Sequence, residues 1–320
     1  MITNQLAFAQ LPPAARRRGA FALCLALCTL GLSFSASAQS TFTTFDVPGS
    51  VRTIPISINS KRAVTGEYTD QNFVGHCFLR SPDGTFTTID PPSSVFTAPQ
   101  SINFTGAITG LYHANSVIHG FLRTSDGTFT TIDPPSSTFS TFPSSINSTG
   151  AIAGSYVDPA FPTRNLFHGF LRTRDGTFTT FDAPGDVFET FVTSINDLGA
   201  IAGYYEDPSF VNHGFLRASD GTLTTFDLPG GSLAAGPQSI NSAGAIAGAY
   251  IDATFTFHGY LRGPDGTFTT FDAPGSGKGV SQGTAPQSIN SAGAIAGSYI
   301  NAANAFHGFL RAPKRHYHPV

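Results

Sequence analysis

Tryptophan and cysteine are the residues that this sequence has least of. Tryptophan is absent, and the three cysteines among 320 residues are Cys24, Cys28 and Cys77. The first two lie in an apolar N-terminal segment with the features of a cleaved leader, so the mature chain is expected to keep Cys77 alone. Intramolecular disulfides are then excluded, and we expect packing alone to stabilise the fold.

Charged residues are also few. Asp, Glu, Lys and Arg make up 12% of the chain against 40% apolar residues, which is typical of a folded and weakly charged protein. The one concentration of basic residues outside the leader is the C-terminal sequence KRHYH (314–318), which we interpret as a solvated tail. This pattern argues against nucleic acid as a partner.

The first 38 residues have the pattern of a signal peptide. Arg16, Arg17 and Arg18 precede the apolar run GAFALCLALCTLGLSFS, and residues 36–38 (ASA) are acceptable to a signal peptidase. We predict cleavage before Gln39 and export to the periplasm or beyond the cell. The alternative is a retained transmembrane anchor, which the shortness of the apolar run disfavours. Loss of the three arginines changes the formal net charge from −3 to −6.

The mature chain consists of six copies of one pattern, 43 to 49 residues apart. Each copy contains the tripeptide SIN, a five-residue segment such as HGFLR, and, in all but the last, a segment such as TFTTFD. The asparagines are Asn59, Asn103, Asn147, Asn196, Asn241 and Asn290; the histidines are His76, His119, His168, His213, His258 and His307; the aspartates that end TFTTFD, including one N-terminal copy, are Asp46, Asp90, Asp133, Asp182, Asp227 and Asp272.

Each copy predicts four short strands. APQSIN and GAIAGSY are joined by a tight turn such as NSAG, a variable loop leads to HGFLR, and an Asp-Gly turn leads to TFTTFD. In the expected register Arg80 faces Thr85 and His76 faces Ile89. The first turn has a glycine that we expect at positive φ in five copies: Gly106, Gly150, Gly199, Gly244 and Gly293. Arg62 replaces it in the first copy, and there we expect a different turn.

Repeated four-stranded units without a helical period predict an all-β fold, a β-propeller. The last copy stops at Arg311 after three strands, while the mature chain begins with a lone STFTTFD (40–46). We predict that this N-terminal strand pairs with the last blade and closes a six-bladed ring, which removes exposed sheet edges. The predicted blades are 47–90, 91–133, 134–182, 183–227, 228–272 and 273–311 with 39–46, and residues 312–320 form a tail.

The combined pattern SIN, GAIAG, HGFLR and DGTFTTFD resembles the extracellular bacterial repeats of the HAF family, named for a His-Ala-Phe tripeptide. Glycine stands here in the alanine position, and Cys77 does so once. The resemblance covers the whole mature chain and implies an exported bacterial repeat protein. The family carries no established activity or catalytic residues, so the resemblance leaves the function open.

The repeated histidines and aspartates could indicate a metal or acid–base site. In a propeller, strands about 4.8 Å apart place six histidines on a circle too wide for one ion, whose bonds to histidine are about 2 Å. A local pair such as His213 with Asp227 is possible, but it recurs in every blade, whereas an enzyme needs one site. We therefore predict no metal, cofactor or catalytic residue, and assign the repeated His, Asp and Asn to structural hydrogen bonds.

Ligand binding is expected where the copies differ. The loops between the second and third strands vary most, and four of them contain a phenylalanine: Phe73, Phe161, Phe210 and Phe255. Exposed aromatic rings on a face built from loops can anchor a sugar or a protein. The alternative is that each ring covers the end of its own blade.

These patterns favour a secreted, monomeric, non-enzymatic propeller that binds a glycan or a protein on its variable-loop face. The alternatives are an enzyme acting on polysaccharide, as a lyase or hydrolase, and a purely structural surface protein. An enzyme requires unrepeated ionisable residues in one cleft. The candidates Glu67, Asp186, Glu189, Glu206 and Lys278 are expected to be scattered over different blades.

Overall fold

A computed structural model describes residues 43–135, 137, 140–157, 167–184, 189–229 and 236–313. Residues 1–42, which include the predicted leader, and residues Phe161 and Asp186 lie outside these ranges. Within them the chain forms 23 strands and no helix, so the all-β prediction is confirmed. The strands belong to one compact unit, Phe45–Val320. None of the described residues forms a helix that could cross a membrane.

The strands follow the predicted units, with four in each of the first five and three in the last. Unit one has β1 (Arg52–Ile58), β2 (Val64–Thr69), β3 (Gly75–Arg80) and β4 (Phe86–Thr88); unit two has β5 (Phe96–Ile102), β6 (Ile108–Ala114), β7 (Val117–Arg123) and β8 (Phe129–Ile132); unit three has β9 (Thr141–Ile146), β10 (Ile152–Val157), β11 (Phe167–Arg172) and β12 (Phe178–Phe181). Unit four has β13 (Glu189–Ile195), β14 (Ile201–Glu206), β15 (Asn212–Arg217) and β16 (Leu223–Asp227); unit five has β17 (Pro237–Ile240), β18 (Ile246–Ile251), β19 (Phe257–Arg262) and β20 (Phe268–Phe271); unit six has β21 (Gly283–Ile289), β22 (Ile295–Ile300) and β23 (Phe306–Arg311).

Within each unit, consecutive strands pair antiparallel. The loops between second and third strands therefore lie at the same end of a unit as the linkers between units; we call this end the loop face. The first strand of every unit carries a register shift. In unit one this shift lies between Pro55 and Ser57. Proline lacks a backbone donor, and sheets tolerate it at such bulges.

The predicted register of the third and fourth strands was wrong by one residue. Arg80 pairs with Phe86 rather than Thr85. Ser81 and Thr85 close a three-residue loop with a hydrogen bond of 2.8 Å, and Gly84 adopts φ +94° in it. A type I turn followed by a glycine in the left-handed region adds one residue to the connection. As a result the histidine of the third strand faces the aspartate after the fourth strand.

The first turn of each unit was also predicted wrongly at Arg62. The five expected glycines have φ between +81° and +89°, as predicted, and Arg62 has φ +68°. Its N–H donates to Asn59 O at 2.9 Å, as Gly106 N–H does to Asn103 O at 3.0 Å. Arg62 therefore forms the same turn, because the turn fixes the backbone conformation whatever residue occupies it.

The core lies mainly between neighbouring units. Ile195, Ile201 and Phe215 of unit four form one cluster with Ala153 of unit three, and Phe181 packs against that cluster. The final phenylalanine of a fourth strand lies on the third strand of the next unit: the Phe181 ring is 6.1 Å from that of Phe215 at 79°, and Arg217 lies 5.0 Å over Phe181. One face of each of these units is thus buried by the unit that follows it in the sequence.

The first and last units each leave one face uncovered. Ile58 is 65% exposed, whereas its five equivalents are 5–6% exposed: Ile102, Ile146, Ile195, Ile240 and Ile289. In unit six Phe306 and Leu310 are 76% and 77% exposed. Among the described residues no strand pairs with the outer edge of β23, and residues 43–46 form no strand. The predicted closing strand is therefore not seen in the described part of the chain.

Candidate functional site

The loop face presents three phenylalanines on equivalent turns. Phe73, Phe210 and Phe255, three of the four predicted anchors, are 83%, 69% and 54% exposed. Their φ angles are +64°, +62° and +61°, in the left-handed region that bulky residues rarely adopt. Each of the three described rings is thus more than half exposed. The fourth predicted anchor, Phe161, lies outside the described residues.

An aspartate three residues earlier holds each of these turns. In unit five, Asp252 Oδ1 accepts hydrogen bonds from the N–H groups of Thr254 and Thr256 at 2.9 and 3.0 Å. The Phe255 N–H donates to Asp252 O at 2.9 Å. Asp70 and Asp207 accept the corresponding bonds in units one and four. The backbone beneath each ring is therefore fixed before any ligand arrives.

The same aspartate contacts the repeated histidine of its unit. His258 Nε2 lies 3.2 Å from Asp252 Oδ2, and His258 Nδ1 lies 2.8 Å from Asp272 Oδ1. His213 lies between Asp207 and Asp227 at 3.3 and 2.8 Å. His76 is 2.7 Å from Asp90 and 3.7 Å from Asp70. Each histidine ring thus lies between the phenylalanine turn and the aspartate at or just after the end of the fourth strand.

The other units build this region differently. In unit two, Asn115 and Ser116 at positive φ form a short turn, and His119 Nδ1 contacts Asp133 at 2.7 Å. In unit three His168 Nδ1 contacts Asp182 at 2.7 Å, and residues 158–166 lie outside the described ranges. In unit six Asn304 takes the phenylalanine position at φ +60°. The turn itself therefore does not require an aromatic residue.

In the unit-five bridge two pKa values are shifted in opposite directions. Burial lowers the pKa of His258, but hydrogen bonds and charge from Asp272 and Asp252 outweigh it, so this pKa is raised. The pKa of Asp252 is strongly lowered, first by the backbone hydrogen bond from Thr256, then by the hydroxyl of Thr254 and by His258. Both shifts favour the ionised pair.

The repeated asparagines make a contact that the sequence did not indicate. As expected, the side-chain oxygen accepts from the following turn, for example Asn147 Oδ1 from Ala151 N–H at 2.9 Å. The amide nitrogen, however, donates to the carbonyl of the next unit's asparagine, 44 to 49 residues further on, at 2.9–3.1 Å. We call this chain of five bonds the asparagine belt. Only the recurrence of a polar residue at the end of a buried strand hinted at it.

Two of the unrepeated acidic residues are not scattered. Glu189 and Glu206 lie directly opposite each other on β13 and β14. Burial and the charge of Glu206 raise the pKa of Glu189, and burial and both carboxylates raise the pKa of Tyr204. Their spacing of 17 residues concealed the pairing, which the antiparallel register creates. Glu67 and Lys278 lie in units one and six, and Asp186 lies outside the described residues.

Comparison with known proteins shows the fold. No family model and no curated protein matches the chain. Virginiamycin B lyase from Staphylococcus aureus is similar in structure, with a TM-score of 0.50 and 14% identity over 80% of this chain and 83% of the lyase. A streptogramin B lyase gives 0.51 and 12% over 83% and 85%. A six-bladed Aleuria aurantia lectin scores 0.47 at 12% identity over 81% and 90%, which adds no argument about sugar binding. At such identities the likeness concerns architecture and not activity. The chain has a β-propeller fold built from repeats.

Proposed function

We propose that this protein is an exported, non-enzymatic β-propeller that binds a glycan or a protein through the phenylalanine turns of its loop face. The observation that carries this proposal is the recurrence of an exposed phenylalanine at positive φ in three units. A phenylalanine in this conformation costs about 1–2 kcal/mol, and a ring that is more than half exposed offsets only part of this cost through burial. Asn304 takes the same turn position with less strain, because asparagine tolerates the left-handed region better than phenylalanine.

The support from geometry is preorganisation. The Asp-centred hydrogen bonds fix the backbone beneath Phe73, Phe210 and Phe255, so binding has to immobilise only the rings. Aromatic rings with few rotatable bonds are frequent binding hot spots. Because they belong to different units, the three rings suit an extended or repeated ligand better than a small molecule.

A glycan array probed with the mature chain, residues 39–320, tests this proposal. Replacement of Phe73, Phe210 and Phe255 by alanine should weaken the strongest interactions by about 1–3 kcal/mol, with little change in melting temperature. Phe104→Ala is the matched control, because Phe104 is 53% exposed but lies in a turn at the opposite end of unit two. Equal loss of binding in this control, or a large drop in melting temperature of the triple variant, contradicts the proposal.

A hydrolase or lyase is the second candidate, and the Glu189–Glu206 pair favours it. Acid–base cleavage of a glycosidic bond uses a pair of carboxyl groups, and the raised pKa of Glu189 suits the role of the acid. Release of new sugar ends from polysaccharide by the purified chain, abolished in Glu189→Gln and Glu206→Gln, would establish this function. If turnover survives both substitutions, or if the wild-type chain shows no turnover, the Glu189–Glu206 pair is not the basis of such an activity.

The six-bladed closure belongs to the same proposal. Phe45 already packs on unit one as Phe181 packs on unit four: its ring is 6.3 Å from Phe78 at 78°, and Arg80 lies 4.9 Å over it. Residues 40–46 copy a fourth strand, and unit six has none of its own. Pairing of residues 40–46 with β23 would place Asp46 beside His307 Nδ1, as Asp272 lies beside His258. Cleavage before Gln39 frees this strand at the N-terminus.

Export and membership of the HAF repeats complete the proposal. The N-terminal 38 residues have the pattern of a leader, and the mature chain carries the repeat motif in all six units. N-terminal sequencing of the protein purified from the medium or periplasm of a bacterial producer checks the cleavage site. A mature chain that begins at Gln39 supports it, and an intact N-terminus contradicts it.

A further inference from the structure

We propose that His258 is a positioning residue that orders the phenylalanine turn of unit five only when its ring is doubly protonated. This inference rests on the proposed binding role of the loop face and adds its regulation. Loss of the proton as pH rises would loosen the turn beneath Phe255, and so weaken binding.

The geometry around His258 requires two donors. Carboxylate oxygens lie 2.8 Å from Nδ1 and 3.2 Å from Nε2. A neutral imidazole donates from one nitrogen and exposes a lone pair at the other, whereas the protonated ring donates from both. Deprotonation therefore leaves one of the two carboxylates facing a lone pair, and that contact becomes repulsive.

Deprotonation reaches the turn through Asp252. One oxygen of this carboxylate contacts His258, and the other accepts the hydrogen bonds from Thr254 and Thr256 that flank Phe255. A carboxylate pushed away from the ring has to move both oxygens. The hydrogen bond from the Thr256 amide is therefore the most direct reporter of the bridge.

The groups that act on each ring are the same in kind. Tyr250 of β18 stacks on His258 with 5.1 Å between the ring centres. Tyr205 stacks on His213, and Tyr68 stacks on His76, at 5.0 Å each. Asp252 and Asp272 act on the charge of His258, and the linker to unit six approaches through the Lys278 carbonyl, which accepts from the Thr256 hydroxyl. His213 lies between the carboxylates of Asp207 and Asp227, and His76 lies between those of Asp70 and Asp90.

Unit six contains the neutral version of the same bridge. Asn301 replaces the turn aspartate, and its amide nitrogen lies 2.9 Å from His307 Nε2. The amide donates there, so the ring accepts and needs no second proton. Asn301 Oδ1 still accepts from Ala303 and Ala305 N–H at 2.9 and 3.0 Å, as Asp252 Oδ1 accepts in unit five. One chain thus holds the pH-dependent turn and its matched control.

Hydrogen exchange of the free, full mature chain tests the inference. After correction for intrinsic exchange rates, protection of the Thr256 amide should fall as pH rises through the pKa of His258. The fall should reach up to about tenfold for each unit by which that pKa is raised in the folded chain. Protection of the Ala305 amide should stay constant. Asp252→Asn should make the Thr256 amide behave like that of Ala305.

The reciprocal substitution keeps the test decisive if Asp252→Asn does not fold. Asn301→Asp should introduce the pH-dependent fall at Ala305. A wild-type Thr256 amide whose protection does not change with pH, or an Asp252→Asn chain with an unchanged fall, overturns the inference. Because no ligand is present, this result is independent of the glycan-array experiment: the bridge can fail while binding stands, and binding can fail while the bridge stands.

Discussion

At the scale of single residues, the same backbone conformation is occupied by residues for which its free-energy cost differs widely. Arg62 has φ +68° in a turn where five other units have glycine. The hydrogen bonds of the turn do not depend on the side chain, so the conformational cost is borne by Arg62 itself. Among the described residues no hydrogen bond or ion pair of the Arg62 guanidinium offsets this cost, and this makes Arg62 the simplest site at which to stabilise the fold.

Arg62→Gly should raise the free energy of unfolding by about 1 kcal/mol, since glycine adopts the left-handed conformation without strain. Part of the gain is offset because glycine also makes the unfolded chain more flexible. Chemical denaturation of the purified variant measures the change. The mirror-image control is Gly106→Ala, which should lower the same free energy. If the two substitutions changed the free energy of unfolding in the same direction and by the same amount, the prediction would be contradicted, because the turn would not distinguish glycine from other residues.

Substitution of a bridging histidine should be costly. His258→Ala removes the partner of Asp272 and of Asp252, and a lost hydrogen bond of this kind costs about 1–3 kcal/mol. The raised pKa of His258 means that this contribution is complete below the ordinary histidine pKa and is lost as pH rises through the folded-state pKa. Denaturation curves of wild type and variant should therefore differ more at pH 5.5 than at pH 9. A difference that grows with pH contradicts the protonated bridge.

At the scale of strands and turns, the sequence predicted the repeating pattern well and its exact pairing less well. The recurrence of the motif in six copies allowed the positions of the strands in each unit to be predicted correctly. The register failed by one residue, since an Asp-Gly turn does not reveal whether a bulge such as that at Gly84 follows it. The facing of Glu189 and Glu206 could not be predicted either, because it depends on that same detail of register in another hairpin.

The asparagine belt links the first strands of successive units and should be important for stability. Asn147 is 4% exposed; its amide donates to Asn196 O, and its oxygen accepts from the turn. Asn147→Ala removes the hydrogen bond to Asn196 O and those from the N–H groups of Thr149 and Ala151, and should cost about 1–3 kcal/mol. Ser60→Ala, at an exposed position in the equivalent turn of unit one, should change the melting temperature little. Similar melting temperatures of the two variants would show that the belt contributes nothing to stability.

At the scale of the whole molecule, the uncovered faces of units one and six are complementary in kind. Ile58 is exposed where its equivalents are buried against a preceding unit, and Leu310 is exposed where its equivalents pack against a following one. Asn290 is the last residue of the asparagine belt and is exposed. Its amide nitrogen corresponds to the one that, in each of the other units, donates to the asparagine carbonyl of the next unit. Closure would bring Asn290 to Asn59 and bury both faces, which is the physical reason to expect it.

Truncation of residues 39–46 does not test closure cleanly, because it also removes Phe45, which packs on unit one in any case. The sharper test is the pair that only closure creates, Asp46 with His307. A double-mutant cycle of Asp46→Ala and His307→Ala should show a coupling of about 1–3 kcal/mol in the free energy of unfolding. The reference cycle is Asp272→Ala with His258→Ala, whose partners already lie 2.8 Å apart. Coupling in the reference with none between Asp46 and His307 means that the N-terminal strand does not complete the last blade.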